Sequence, residues 1–263
     1  MATWWVYLKE VRDRLVLVSV AGGVLVLLCL IAGILWEPLQ VQFAAVRDLM
    51  PPGILAMIPG GDMSNSAGWI NAQVLSLSAP GGLTLVAIIS ALRGSVHEED
   101  RGTMALVLGS GIGRMSFATA KTLAMMTHVA FAALLLWLGL AASNAIWSLG
   151  LTPTNLIASS IHAMVLAWFF GMSTLTLALS TGRSRLSALS SVALAAAAFL
   201  VATFFPLSST LSGWERVSPW FYFSDADPLN TGLTWSYLGL LVLAALPLYA
   251  VSLRAFSERD LRT

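Results

Sequence analysis

Six stretches of about twenty residues carry little or no charge, and no other feature of this sequence limits its fold as tightly. The first, Leu15–Leu35, contains no Asp, Glu, Lys or Arg. As an α-helix it would reach roughly 31 Å, about the thickness of a bilayer's hydrocarbon core. Five further runs follow, at Val74–Leu92, Phe117–Ala142, Leu156–Leu179, Leu186–Leu207 and Leu233–Leu253. They are continuous rather than alternating, which indicates helices and not barrel strands. Of the 263 residues, 57% are hydrophobic and 10% charged; soluble domains average about 25% charged, so this chain cannot cover a water-facing surface. The expected fold is an all-α integral membrane protein, a single domain over residues 1–263 with six transmembrane helices.

The first run is not read as a cleavable signal, whose apolar core would be about 7–15 residues and end in small residues. It ends instead in Trp36-Glu37-Pro38, an aromatic interface anchor followed by a helix stop. Before it, Trp4, Leu8, Val11 and Leu15 recur at helical spacing, with Lys9, Glu10, Arg12 and Asp13 between them. That pattern predicts an amphipathic helix over residues 1–14 lying along the inner interface. The alternative is a simple extension of the first span. Pro80 is expected to kink the second span, and Trp69 to anchor it at the outer interface.

Orientation follows from the basic residues. With the N-terminus inside, inner segments hold twelve Lys and Arg and outer loops only Arg47 and Arg216. This bias places both termini in the cytoplasm. The first outer loop, Glu37 to about Gln73, is too long to be structureless; Val41–Leu49 predicts a short surface helix ending at Pro51-Pro52. The inner segment from Arg93 to Arg114 concentrates charge at Glu98, Glu99, Asp100 and Arg101, followed by Gly102-Thr103, the apolar Ala105–Leu108 and glycines 109, 111 and 113. It reads as a short helix with one charged and one apolar side, closed by glycine.

Catalytic motifs fail individually. The glycines before Arg114 lack the G-x-x-x-x-G-K-[ST] pattern and the preceding strand of a phosphate loop. His97, His128 and His162 show no metal-ligand spacing, and no G-x-S-x-G elbow occurs. The single cysteine, Cys29, lies inside the first span, so no disulfide forms within the chain. His128 is an ionisable group inside the third span, a functional candidate by default, against the plainer reading of a neutral ring bonded to a neighbouring helix. Lys121 is expected to snorkel to the inner interface. Ser173, Thr174, Thr176 and Ser180 in the fourth span, with Ser187, Ser190 and Ser191 in the fifth, suit close helix packing. A polar stripe along a pathway, with His128, Thr174 and Thr176 as gating residues, is the alternative.

The run Glu98-Glu99-Asp100-Arg101-Gly102-Thr103-Met104-Ala105-Leu106-Val107-Leu108, then Gly113-Arg114 and Ala120-Lys121-Thr122-Leu123-Ala124, resembles the inner loop of type-2 ABC transporter permeases. That loop has the form E-x-x-x-G-T-[LM]-x-x-[LV]-L, followed by S-R and K-x-[LI]-A. Gly113 stands here in place of the usual serine, and Ser110-Gly111 where a proline is frequent. Leu49-Met-Pro-Pro-Gly, Ser218-Pro-Trp-Phe-Tyr-Phe, Pro228-Leu229 and the ending Ala255-Phe256-Ser257-Glu258-Arg259-Asp260-Leu261 are similar to other parts of the same family. The family ending commonly reads F-x-R-R-D-[LI], so Glu258 is a departure.

The resemblance implies a subunit of a bacterial cytoplasmic-membrane exporter without catalytic residues or metal of its own. A second permease copy or homologue would complete the pathway, and two separate P-loop ATPase subunits would bind ATP and Mg. No nucleic acid is implied. Glu98, Glu99, Arg101, Gly102, Thr103, Leu106, Leu108 and Arg114 would form a coupling helix seated on the ATPase. The apolar spans suit a hydrophobic or amphipathic cargo. The residues alone leave two other classes open: an intramembrane enzyme using His128 or His162 with a serine, and an ion-coupled transporter or channel.

Overall fold

A computed structural model describes residues 2–47, 63–95, 109 and 111–259. Every regular element among them is helical. Their order is α1 (Ala2–Arg47), α2 (Ser66–Ile70), a π-helical turn at Asn71–Leu75, α3 (Ser78–Gly94), α4 (Arg114–Ile146), α5 (Pro153–Thr181) and α6 (Ser184–Phe204). After two 3-10 turns come the short helices α7 (Phe221–Ser224) and α8 (Pro228–Thr231), and then α9 (Trp235–Glu258). Six helical segments are long and apolar enough to cross a membrane, as the apolar runs predict.

The N-terminus departs from expectation. Residues 2–14 form no separate interfacial helix, because α1 runs unbroken from Ala2 to Arg47. No glycine or proline interrupts the sequence before Gly22, so the helix has no reason to turn there. Pro38 does not stop it either. A proline inside a helix removes one backbone hydrogen bond, but this stretch is braced from outside. Trp69 donates its indole N–H to Ala32 O at 2.7 Å and packs on Trp36 and Phe43, with ring centroids 6.4 and 5.3 Å away. Trp69 is thus 3% exposed, a wedge against α1 rather than an interface anchor. The expected helix at 41–49 is the far end of α1 as far as Arg47.

Pro80 does not kink a span in its middle. The chain bends just before it, at Leu77 (φ −139°, ψ −44°), so that Pro80 falls in the first turn of α3. A missing N–H costs nothing in that position.

Packing is closest between α1 and α4, where glycines remove the side chains that would hold them apart. A Cβ on Gly139 would lie 2.8 Å from Val26 Cα and 3.3 Å from Cys29 Sγ. Gly22 sits under Leu135, and Gly33 under Ser143 and Trp147. In a bilayer, where apolar side chains gain nothing by leaving lipid, such backbone approach is the main source of helix affinity. α3 and α5 are the most enclosed spans, whereas α6 and α9 show most of their surface outward. Leu189, Val192, Leu200, Leu243 and Leu246 are among their exposed side chains.

Candidate functional site

The first four turns of α1, the first three of α4, the last turn of α3 and the C-terminal end of α9 meet at one end of the bundle, its base. Lys121, one charge in an apolar helix, does not snorkel outward. It is 4% exposed and ion-paired with Glu10, itself 4% exposed. Glu10 also pairs with Arg14 one turn along α1. Burying a cation this fully requires a partner that replaces water, and Glu10 supplies it from a position 111 residues away. The Phe117 ring adds a cation–π contact 5.0 Å from Lys121 Nζ.

Gly94, the last residue of α3, makes room for this pair. A Cβ there would lie 3.2 Å from Glu10 Oε1 and 3.4 Å from Lys121 Cδ. Next to it, Ser95 is wholly buried and bonds back to Ala91 O at 2.6 Å. The chain therefore leaves α3 from a point pinned against α1 and α4.

It returns at Arg114, which is fastened to the other chain end. Its Nη1 donates to Phe256 O (3.2 Å), Ser257 O (3.1 Å) and Arg259 O (2.6 Å). These carbonyls lie in and just past the last turn of α9, where helix acceptors lack intrahelical partners and a cation is favoured. Phe117 stacks on Phe256 at 5.9 Å beneath them. The Arg259 guanidinium in turn lies against Gly182, the left-handed C-cap of α5 (φ 62°), where any Cβ would overlap it. The α5–α6 connection is thereby joined to the same base.

Of the sequence-derived site residues, Arg114 occupies a constrained position in this base. Glu98, Glu99, Arg101, Gly102, Thr103, Leu106 and Leu108 lie outside the described residues, between the two stems at Gly94 and Arg114. His128, Thr174 and Thr176 do not converge on one another. His128 faces α1, with Nε2 3.3 Å from Val11 O, so that this nitrogen carries the proton. Beside it, Tyr7 Oη and Thr127 Oγ1 are 3.0 Å apart. Thr174 bonds back to Phe170 O at 2.8 Å. Thr176 bonds to Met172 O and reaches Leu248 O of α9 at 2.9 Å. Ser173 and Ser180 likewise bond back to carbonyls of α5. His162 accepts from Thr234 N at 3.1 Å, tying α5 to the start of α9.

Sequence reasoning missed Glu10, the buried acid at the centre of the base. Its one signal is an i,i+4 acid–base pair, Glu10 and Arg14, set on the same α1 face as Val6 and Val18. Among the described residues no group of three His, Cys, Asp or Glu side chains could hold a metal ion. Compared with known proteins, the chain matches no family model, and no curated protein is significantly similar to it.

Proposed function

We propose that this chain is the membrane subunit of an ATP-driven transporter of the type-2 ABC permease kind. It works in the bacterial cytoplasmic membrane with a second permease copy or homologue and two P-loop ATPase subunits that hold ATP and Mg. The reading rests on the loop motif at 98–108 together with one observation: both stems of that segment are built into a charged base that joins α1, α3, α4, α5 and α9. A push on the segment from a motor would act at once on both chain ends and on both helices flanking it. Glu98, Glu99 and Arg101 are suited to charge-assisted contacts with such a motor, and Leu106 and Leu108 to an apolar anchor. The cargo that suits the apolar spans is hydrophobic or amphipathic, and its direction of movement is export.

The test is to isolate the chain from its native cells and identify what accompanies it. A P-loop ATPase should co-purify, and E98K/E99K should abolish that association or the cargo-stimulated part of its ATPase activity. Isolation without any ATPase, or full association and stimulation in the double variant, would overturn the reading.

A further inference from the structure

The chain that joins α6 to α9, at the end of the bundle away from the base, shows apolar side chains that no other element covers. The fifth of the six long apolar segments ends at Leu207. Beyond it, Trp214 and Val217 are 65% and 74% exposed. They stand three residues apart in one 3-10 turn (Trp214–Val217), where side chains at that spacing eclipse one another and share a side.

Ser218 fixes the depth of this turn. Its Oγ donates to Ala198 O at 2.6 Å and accepts from Trp220 N at 3.1 Å. Ala198 lies six residues before Phe204, the last residue of α6, so the chain has come back along the helix by roughly 9 Å. The Trp220 ring continues inward and packs on Phe199 and Phe170, with centroids 5.3 and 6.2 Å away. Tyr222 Oη donates to Arg216 O at 2.8 Å and closes the segment on itself. Val217 is thereby held at the level of the last two turns of α6, where Leu200 and Phe204 also face outward. Apolar faces of interfacial segments sink to a similar depth, roughly 5–10 Å below the headgroup boundary.

The two charges of the segment are compatible with that position. Glu215 turns back to accept from Gly213 N at 2.6 Å, and the long stem of Arg216 lets its guanidinium rise to the phosphates. Trp235, the first residue of α9, is 73% exposed at the same end of the bundle. Outward-facing indoles belong at the boundary between headgroups and acyl chains.

We propose that residues 207–217 form a lipid anchor, in which Trp214 and Val217 enter the phospholipid leaflet away from the base and hold the α6–α9 side of the bundle at its surface. Phospholipid is the occupant because the exposed face continues that of α6, from Leu200 and Phe204 through Leu207. The anchor is independent of the transport reading, and its test needs neither ATPase nor ATP.

Single cysteines are introduced as L200C, S209C, W214C and V217C, all at exposed positions. Cys29 is wholly buried, so the folded chain takes a nitroxide at the new position alone. Each labelled full chain, in nanodiscs of phosphatidylcholine and phosphatidylglycerol, is measured by power-saturation EPR against two relaxing agents. Oxygen concentrates among acyl chains; a nickel chelate stays in water. At 214 and 217 oxygen should relax the label as strongly as at 200, and nickel several-fold less than at 209. The thermal transition of each variant is checked first; if W214C fails to fold, V217C decides alone. Nickel relaxation at 217 equal to that at 209 would put the segment in water and overturn the proposal. Protection of 217 from both agents would put it under a second copy of the chain or another protein, and overturns it equally.

Discussion

Replacing Glu10 by glutamine should destabilise the bundle more than any other single change of charge at its base. The carboxylate is shared by Lys121 and Arg14, with side-chain exposures of 5%, 3% and 11% respectively. Its loss takes from two cations enclosed by protein the carboxylate they share. Removing one partner of a buried pair typically costs about 3–5 kcal/mol, because the remaining charge is stranded rather than because the pair itself is strong. Removing Lys121 should cost less, since Glu10 keeps Arg14 one helical turn away. E10Q/K121M should therefore be less damaging than the sum of its two parts.

The protein carries its own reporter. Cys29 is its single cysteine and is wholly buried in the α1–α4 contact. A thiol-reactive fluorophore will register unfolding of this helix pair during a denaturant titration in detergent. The reasoning is refuted if E10Q unfolds within about 0.5 kcal/mol of the parent, the usual range for surface changes. It is refuted equally if the double variant equals the sum of the singles to within roughly 0.3–0.5 kcal/mol, the behaviour of uncoupled sites.

Other substitutions address other joints. G139L would drive a side chain into the Val26 backbone, and should lower stability by at least about 1–3 kcal/mol and make Cys29 react earlier in the same titration. R114M strips three carbonyls at the end of α9 of their donor. Hydrogen bonds from charged groups contribute about 1.5–3 kcal/mol, so protease cleavage after Arg254 or Arg259 should become faster while the folded fraction falls. W69F keeps the aromatic wedge but loses the bond to Ala32 O. A loss of about 1 kcal/mol is expected, with faster amide exchange in α1 on either side of Pro38.

The positions of the six spans are legible in sequence because a membrane helix needs only a local run of apolar residues of sufficient length. Expected and observed bounds differ by a few residues at most of their ends, as at 117–142 against Arg114–Ile146. Breaks were less legible, because they depend on what lies alongside. Pro38 carries the local signature of a stop, yet Trp69, 31 positions further on, braces the helix through it. Pro80 carries the signature of a kink, yet the bend falls before it and leaves the proline in a first turn, where it is harmless.

Charge shows the same division. The sequence by itself determined that Lys121 lies near the end of an apolar helix, and a lone lysine there is most simply expected to reach for water. Only the tertiary structure decided that it turns inward, because Glu10 comes from a different helix and Gly94 leaves the space for both. Hydropathy acts along the chain and can be read there. Partnership between polar groups acts across space, and it is settled only when the helices have packed.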